Sequence, residues 1–332
     1  MNVAVLGSGS WGTALAVLLA RNGNEVTLAG RDPEEVTFLQ SHRENIRYLP
    51  GFVLPQNVRP VFFEDLGTDY DMHVVAVPSS GVAEVTEFVR GENPTVLLAS
   101  KGLEPGTGAL VSEVVAERMG PSARLAALSG PNLAVEVMKG IPTATVIACP
   151  DLALGARLAT AFNCRTLRAY LSPDLVGIEL AGALKNVIAI GGGMSDGLGF
   201  GDNTKGALIA RGLLEMARLG SVKGADPGSF LGIAGVGDLF ATANSKLSRN
   251  YRLGYALGNG QPLKDALESL GQVAEGVPTS EAALVLARKH MVQVPIMETI
   301  AGVIRGRVSA RDAVQSLMER DPKPEGWEAI LR

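Results

Sequence analysis

The chain has 332 residues, 46% of them hydrophobic and 19% charged, enough for a sizeable core and two domains and too apolar for long disorder. Thirty Lys and Arg stand against 34 Asp and Glu, a formal net charge of -4, which argues against a nucleic-acid binder working through bulk charge and leaves room for a local basic pocket. Forty glycines without a period exclude collagen-like and repeat folds, and many sit at strand-to-helix junctions.

The first half alternates strand and helix. Asn2 to Leu6 reads as a strand, and Thr13 to Arg21 as a helix stopped by Asn22-Gly23. Glu25 to Ala29 is a second strand, and Asp32-Pro33 opens another helix. Further strands are expected at Val58 to Phe62, His73 to Val77, Thr95 to Ala99, Arg124 to Leu128, Thr143 to Ala148 and Arg165 to Tyr170. Such alternation implies a parallel sheet with crossover helices. After Ser172-Pro173 only helices follow, at Asp174 to Gly191, Lys205 to Leu219, Pro262 to Leu270, Ser280 to Lys289 and Ile296 to Ile304. The fold class is therefore α/β: a Rossmann-type dinucleotide-binding domain over residues 1–180, then an all-α domain over 181–332.

Gly7-Ser8-Gly9-Ser10-Trp11-Gly12 fits G-x-G-x-x-G. The pattern is weak alone, but here a strand precedes it and a helix follows. Gly7 makes the tight turn, Gly9 lets the backbone approach a pyrophosphate, and Gly12 allows close helix–strand packing. An acid usually follows about 20 residues on, at the end of the second strand. This chain has Arg31 there, which suits the 2′-phosphate of NADP. Asp32 either reaches a ribose or caps the next helix. NADP(H) is favoured and NAD(H) stays open.

In the second half, Lys185 and Asn186 interrupt an apolar helix, and the helical neighbours of Lys185 are small: Ala181, Gly182 and Ala189. Burial lowers a lysine's pKa toward the range of a general base, which alcohol oxidation needs. The alternative is a lysine that snorkels along its helix. Lys101 follows a strand end, Asp238 sits among glycines, and Ser248-Arg249-Asn250 lines up donors suited to a phosphate. Their plainer readings are a surface lysine, a helix cap and an exposed turn.

Cys149 and Cys164 have no metal-ligand spacing and read as buried small hydrophobes of a reducing cytosol; no metal site is expected. His42, His73 and His290 have no evident partners. No apolar run reaches the roughly 18–20 residues of a membrane span, and the first strand leaves no room for a signal peptide, so a cytoplasmic protein is expected. Nucleic acid is not an expected partner, and whether the chain pairs as a homodimer stays open.

Taken in order, these segments resemble bacterial NAD(P)-dependent glycerol-3-phosphate dehydrogenase. The resemblance rests on G-S-G-S-W-G-T at 7–13, Y-L-P-G at 48–51, S-K-G at 100–102, S-G-P-N-L-A at 129–134 and E-L-A-G-A-L-K-N-V-I-A-I at 179–190. It continues with G-F-G-D-N at 199–203, A-L-I-x-R-G-L at 207–213, G-x-G-D-L at 235–239, S-R-N at 248–250 and V-A-E-G-V at 273–277. It implies reversible reduction of dihydroxyacetone phosphate, a small phosphorylated substrate, to sn-glycerol 3-phosphate for phospholipid synthesis. It implies Lys185 as the proton acceptor. It further implies that Lys101, Gly130, Asn132, Asp238, Ser248, Arg249 and Asn250 meet the substrate, and that Ser10, Trp11, Arg31, Lys101, Ala134, Arg249, Val273 and Glu275 meet the cofactor. Many members have serine where this chain has Asn132. Two rivals remain: a β-hydroxyacid dehydrogenase, which would need a carboxylate site, and a non-catalytic dinucleotide sensor with a structural Lys185.

Overall fold

The computed structural model describes residues 1–321. Two compact units result. The first comprises Met1–Ser100 and Val111–Leu175, the second Lys101–Leu110 and Val176 onward. The division thus falls at Leu175/Val176 rather than at 180/181, and the stretch after the fifth strand belongs with the helices. The reason is burial: Leu103 and Leu110 lie in the helical core, and a Cβ on Gly108 would stand 2.8 Å from the Ala282 carbonyl oxygen.

The first unit is built on strands β1 (Asn2–Leu6), β2 (Glu25–Gly30), β3 (Val58–Phe62), β4 (Met72–Val75), β5 (Thr95–Leu98), β6 (Arg124–Ser129), β7 (Thr143–Ala148) and β8 (Leu167–Ser172). They form one sheet in the order β3-β2-β1-β4-β5-β6-β7-β8. Its helices are α1 (Ser10–Arg21), α2 (Pro33–His42), α3 (Val82–Val85), α4 (Val111–Met119), α5 (Ala134–Met138) and α6 (Leu152–Phe162). Val3 to Leu6 are wholly buried, as expected of a central strand covered on both faces.

One pair departs from the expected all-parallel sheet: β6 and β7 run antiparallel, Ser129 opposite Val146. Directly after β6 the chain folds back on β7 so closely that a Cβ on Gly130 would meet the Thr145 Cα at 2.9 Å. That return puts β7 beside β6 without a crossover, and β8 then pairs parallel to β7.

The second unit is helical: α7 (Leu175–Gly197), α8 (Asp202–Val222), α9 (Gly228–Leu231), α10 (Asp238–Asn244), α11 (Arg249–Gly258), α12 (Leu263–Leu270), α13 (Gly276–Lys289), α14 (Pro295–Ile304) and α15 (Ala310–Met318). A π-helical turn, Ile233–Gly237, leads into α10. Gly191 to Gly193 do not stop α7, as the sequence pattern suggested; they lie inside it. The cause is close helix packing. A Cβ on Gly193 would meet the Tyr251 carbonyl oxygen at 2.1 Å, and one on Gly254 would meet that of Ile190 at 1.9 Å. The backbones of α7 and α11 therefore touch, and many of the 40 glycines serve helix contacts, not only the strand-to-helix junctions read from the sequence.

Two further expectations need correction. Helix α7 is long and apolar enough to cross a membrane by length and composition, but 89% of its apolar window is buried inside the protein, the mark of a core helix. Cys149 is buried as expected, whereas Cys164 is exposed. It lies in the loop after α6, beyond the core-facing turn that ends at Phe162.

Candidate active site

In the first unit, α1 begins at Ser10, inside the glycine loop, so Ser10, Trp11 and Gly12 form its first turn. Gly7 has φ 117, and a Cβ there would meet the Ala76 carbonyl oxygen at 2.7 Å. A Cβ on Gly12 would stand 1.8 Å from the Gly7 carbonyl oxygen. A Cβ on Gly9, by contrast, would meet no protein atom within 4 Å. Gly7 and Gly12 close the turn, and Gly9 faces open space at a helix N-terminus that no side chain caps. This is the cradle a pyrophosphate needs, so the residues present fit a dinucleotide.

The loop is braced from behind. Asn45 donates to the Ser8 carbonyl at 2.7 Å and to Thr13 Oγ1 at 2.8 Å, and the Ser8 hydroxyl donates to Glu35 Oε1 at 2.6 Å. Burial pushes the Glu35 carboxyl up, against the hydrogen bond from Ser8. Arg31 is exposed just beyond the end of β2. Of the two roles read for Asp32, the structure supplies the cap: Oδ1 accepts from the backbone N–H groups of Glu34 and Glu35, and Oδ2 pairs with Arg47 at 3.4 Å. Trp11 is half-buried, and among the described residues its indole Nε1 has no hydrogen-bond partner. Ala134 opens α5. Asn132 donates from its amide to the Ala144 carbonyl at 3.0 Å, beside Gly130.

The second unit gathers the charges. Lys185 and Asn186 lie midway along α7, and Asp238 opens α10. Lys185 Nζ donates to Asp238 Oδ1 at 2.9 Å and to Thr242 Oγ1 at 2.6 Å. Lys101 Nζ donates to the other carboxylate oxygen of Asp238 at 2.8 Å. One carboxylate thus joins two ammonium groups. Lys185 and Asp238 are buried, their side chains 7% and 3% exposed, and that of Lys101 is 16% exposed. The plain readings of Lys101 as a surface lysine and of Lys185 as a snorkelling one give way to a shared carboxylate: both ammonium groups are bonded to Asp238.

These contacts have electrostatic consequences. Burial brings the Lys185 ammonium down to about 8; Asp238 opposes the shift, and Lys101 and Arg249 add to it. Burial alone would raise the Asp238 carboxyl, but Lys101 and Lys185 hold it below its ordinary value. Burial lowers the half-buried Arg249 guanidinium, and the charge of Glu275 resists this. Two lysines share the Asp238 carboxylate and Arg249 feels the charge of Glu275, so three cationic groups stand against two carboxylates, a net positive balance suited to a phosphorylated ligand.

A polar chain supports the cluster. The Asn186 amide donates to the Lys101 carbonyl at 3.1 Å, and Asn250 donates to Asn186 Oδ1 at 2.9 Å. The N–H of Gly276, at the start of α13, donates to Asn250 Oδ1 at 3.0 Å. Gly276 is itself pinned there, since a Cβ would meet the Asn186 carbonyl oxygen at 2.7 Å. Ser248 is buried and caps α11 by accepting from the Tyr251 N–H at 3.2 Å, so the Ser248-Arg249-Asn250 run is a helix start rather than an exposed turn. Glu275 precedes α13, and Val273 is exposed nearby in the sequence. Thr242 is not among the residues singled out in the sequence, where Asp238 reads only as a carboxylate among glycines or a helix cap. A helix starting at Asp238 places Thr242 one turn on, and its hydroxyl lies 3.1 Å from Asp238 Oδ1.

Comparisons with known proteins identify the family. A family model described as NAD-dependent glycerol-3-phosphate dehydrogenase N-terminus matches residues 2–154, and one described as its C-terminus matches 174–315. The chain is 46% identical over 332 residues to glycerol-3-phosphate dehydrogenase (NAD(P)+) of Geobacillus kaustophilus, covering 98% of this chain and 96% of that one. It is 42% identical over 327 residues to the enzyme of the same name from Xanthomonas euvesicatoria, with 97% and 96% covered. Among solved structures, glycerol-3-phosphate dehydrogenase from Coxiella burnetii matches with a TM-score of 0.92 at 36% identity, over 96% of this chain and 99% of that one.

Proposed function

Since this chain belongs to the NAD-dependent glycerol-3-phosphate dehydrogenase family, an NAD(P)-dependent oxidoreductase family, we propose that Lys185 is the proton-transferring residue in the interconversion of sn-glycerol 3-phosphate and dihydroxyacetone phosphate. The observation that carries this reading is the buried Lys185–Asp238–Lys101 cluster, in which the Lys185 ammonium sits near 8. A lysine at that value exchanges its proton within reach of neutral pH. Asp238 and Thr242 occupy two of its three N–H directions, which leaves the third for the substrate oxygen.

In alcohol oxidation, neutral Lys185 takes the hydroxyl proton; in ketone reduction, its ammonium returns it. The nicotinamide, when bound, supplies or accepts the hydride. Asp238 keeps Lys185 oriented and charged enough to act in both directions. Lys101 and Arg249 meet the substrate phosphate, Ser248 and Asn250 shape the helix start that carries Arg249, and Gly130 and Asn132 border the substrate. Gly7, Gly9, Ser10, Trp11 and Gly12 hold the pyrophosphate, and Ala134, Val273 and Glu275 complete the cofactor contacts. Arg31 reads a 2′-phosphate, which favours NADP(H). Two free thiols suit a reducing compartment, so we place the enzyme in the cytoplasm, feeding phospholipid synthesis.

The test is Lys185→Met, a change that keeps the stem and removes the ammonium. Turnover of dihydroxyacetone phosphate, followed by NADPH absorbance, is expected to fall by about 10²–10⁴-fold while NADPH affinity stays within about twofold. Retention of wild-type kcat would overturn the assignment.

A further inference from the structure

A second buried charge cluster lies further along α7. Lys205, near the start of α8, pairs with Asp196 Oδ2 at 2.7 Å, and the Tyr251 hydroxyl donates to the same oxygen at 2.7 Å. The Lys205 ammonium also stands 5.2 Å from the centre of the Tyr251 ring. The Lys205 side chain is only 10% exposed. Desolvation, with the neighbouring Asp196 charge, pushes the Tyr251 hydroxyl up to about 12, so it stays a donor at neutral pH.

Burying an ammonium costs stability unless pairing repays it, and the Asp196 carboxylate and the Tyr251 ring are the groups that hold Lys205 to one geometry. Lys185 and Asp196 are eleven positions apart on α7, roughly 16 Å at 1.5 Å per residue, so this cluster does not touch the reacting atoms. Tyr251, however, is two residues beyond Arg249 in the first turn of α11. That turn is fastened at three further points. Ser248 caps it through the Tyr251 N–H, Asn250 bonds to Asn186 and to the Gly276 N–H, and the Tyr251 carbonyl lies against Gly193. The Asp196–Tyr251 bond adds the last fastening, and Lys205 holds Asp196 in place. The segment G-F-G-D-N at 199–203, which the catalytic cluster does not use, is the connection that delivers Lys205 to this point.

We infer that Lys205, Asp196 and Tyr251 form a clasp that positions Arg249 for the substrate phosphate, and that they are specificity-determining positioning residues of this enzyme. The inference rests on the reading of Arg249 as a phosphate ligand. An arginine fork placed even about 1 Å off its phosphate loses much of its bidentate advantage. The clasp therefore acts on recognition of the phosphate and not on proton transfer.

The experiment compares dihydroxyacetone phosphate with dihydroxyacetone, which lacks the phosphate, in Tyr251→Phe, Lys205→Met, Lys205→Arg and Arg249→Ala. Tyr251→Phe and Lys205→Met are expected to raise KM for the phosphorylated substrate about tenfold and to narrow the kcat/KM ratio between the two substrates by a similar factor. The KM for NADPH, whose site Arg249 also borders, should rise less than that for the phosphorylated substrate, the pH limb set by Lys185 should stay in place, and Lys205→Arg should restore most of the ratio. A parallel loss on both substrates, or a displaced pH limb, would mean a merely structural cluster and overturn the inference. If Arg249→Ala collapses the ratio while Tyr251→Phe leaves it intact, the clasp alone is refuted. If Arg249→Ala leaves the ratio unchanged, the phosphate reading of Arg249 falls and the clasp with it.

Discussion

Replacing Asp238 by Asn removes the negative charge that touches Lys185 while keeping the shape of the side chain. In the wild type the carboxylate lies 2.9 Å from Nζ and counteracts a burial effect that has already brought the lysine to about 8. An opposite charge at such range shifts a pKa by about 1–3 units. Taking the middle of that range, Lys185 falls from about 8 toward about 6. At pH 7 its protonated share then drops from about nine-tenths to about one-tenth. Ketone reduction, which needs the ammonium, is expected to slow about tenfold at pH 7 from protonation alone. Folding should survive. An ammonium left buried without its partner would cost about 3–5 kcal/mol. Lys185 can instead shed its proton at about 1.4 kcal/mol per pH unit. The assay is kcat/KM against pH in both directions, read by NADPH absorbance. In alcohol oxidation the acid limb of the variant should move to lower pH. Lys101→Gln supplies the opposite sign, because Lys101 lowers Lys185 and its removal should carry the limb upward. A limb that stays put or rises in Asp238→Asn would refute the electrostatic account of this site.

Two stability predictions follow from other parts of the molecule. Gly254→Ala places a methyl 1.9 Å from the Ile190 carbonyl oxygen, so chemical denaturation should show a loss of about 3 kcal/mol or more, or no folded protein. Gly206→Ala, at an exposed position of α8 with nothing within 4 Å, should gain about 0.5–1 kcal/mol; equal effects at both sites would undo the backbone-contact argument. His73 is buried in β4, and burial lowers its imidazole to about 4. Between pH 4 and 6.5 the unfolded chain binds the extra proton, so stability is full above 6.5 and declines as pH falls toward 4. About 2 kcal/mol should disappear between pH 7 and pH 5, and His73→Leu should flatten that slope; an unchanged slope would assign it to other groups.

Much of the first unit was legible in the sequence because its signals are local. A strand, a glycine turn and a helix within a dozen residues determine where a phosphate can approach a backbone, and Gly9 needed no distant partner to be read. The lysine at 185 was legible for a related reason: a charge among small apolar neighbours on one helix is visible from spacing alone. The sense of β7 was not, because antiparallel pairing depends on how the chain after Gly130 folds back on Thr145. Nor was the ending of α7. Glycine stops an isolated helix but extends a packed one when a neighbouring backbone fills the space of its missing Cβ, as Tyr251 does at Gly193. The sequence alone thus determined a dinucleotide cradle and the candidate lysine. Tertiary structure decided what surrounds that lysine, bringing Asp238, Thr242 and Lys101 to it from distant segments, since a pKa near 8 is a property of charges gathered in space and not of their order along the chain.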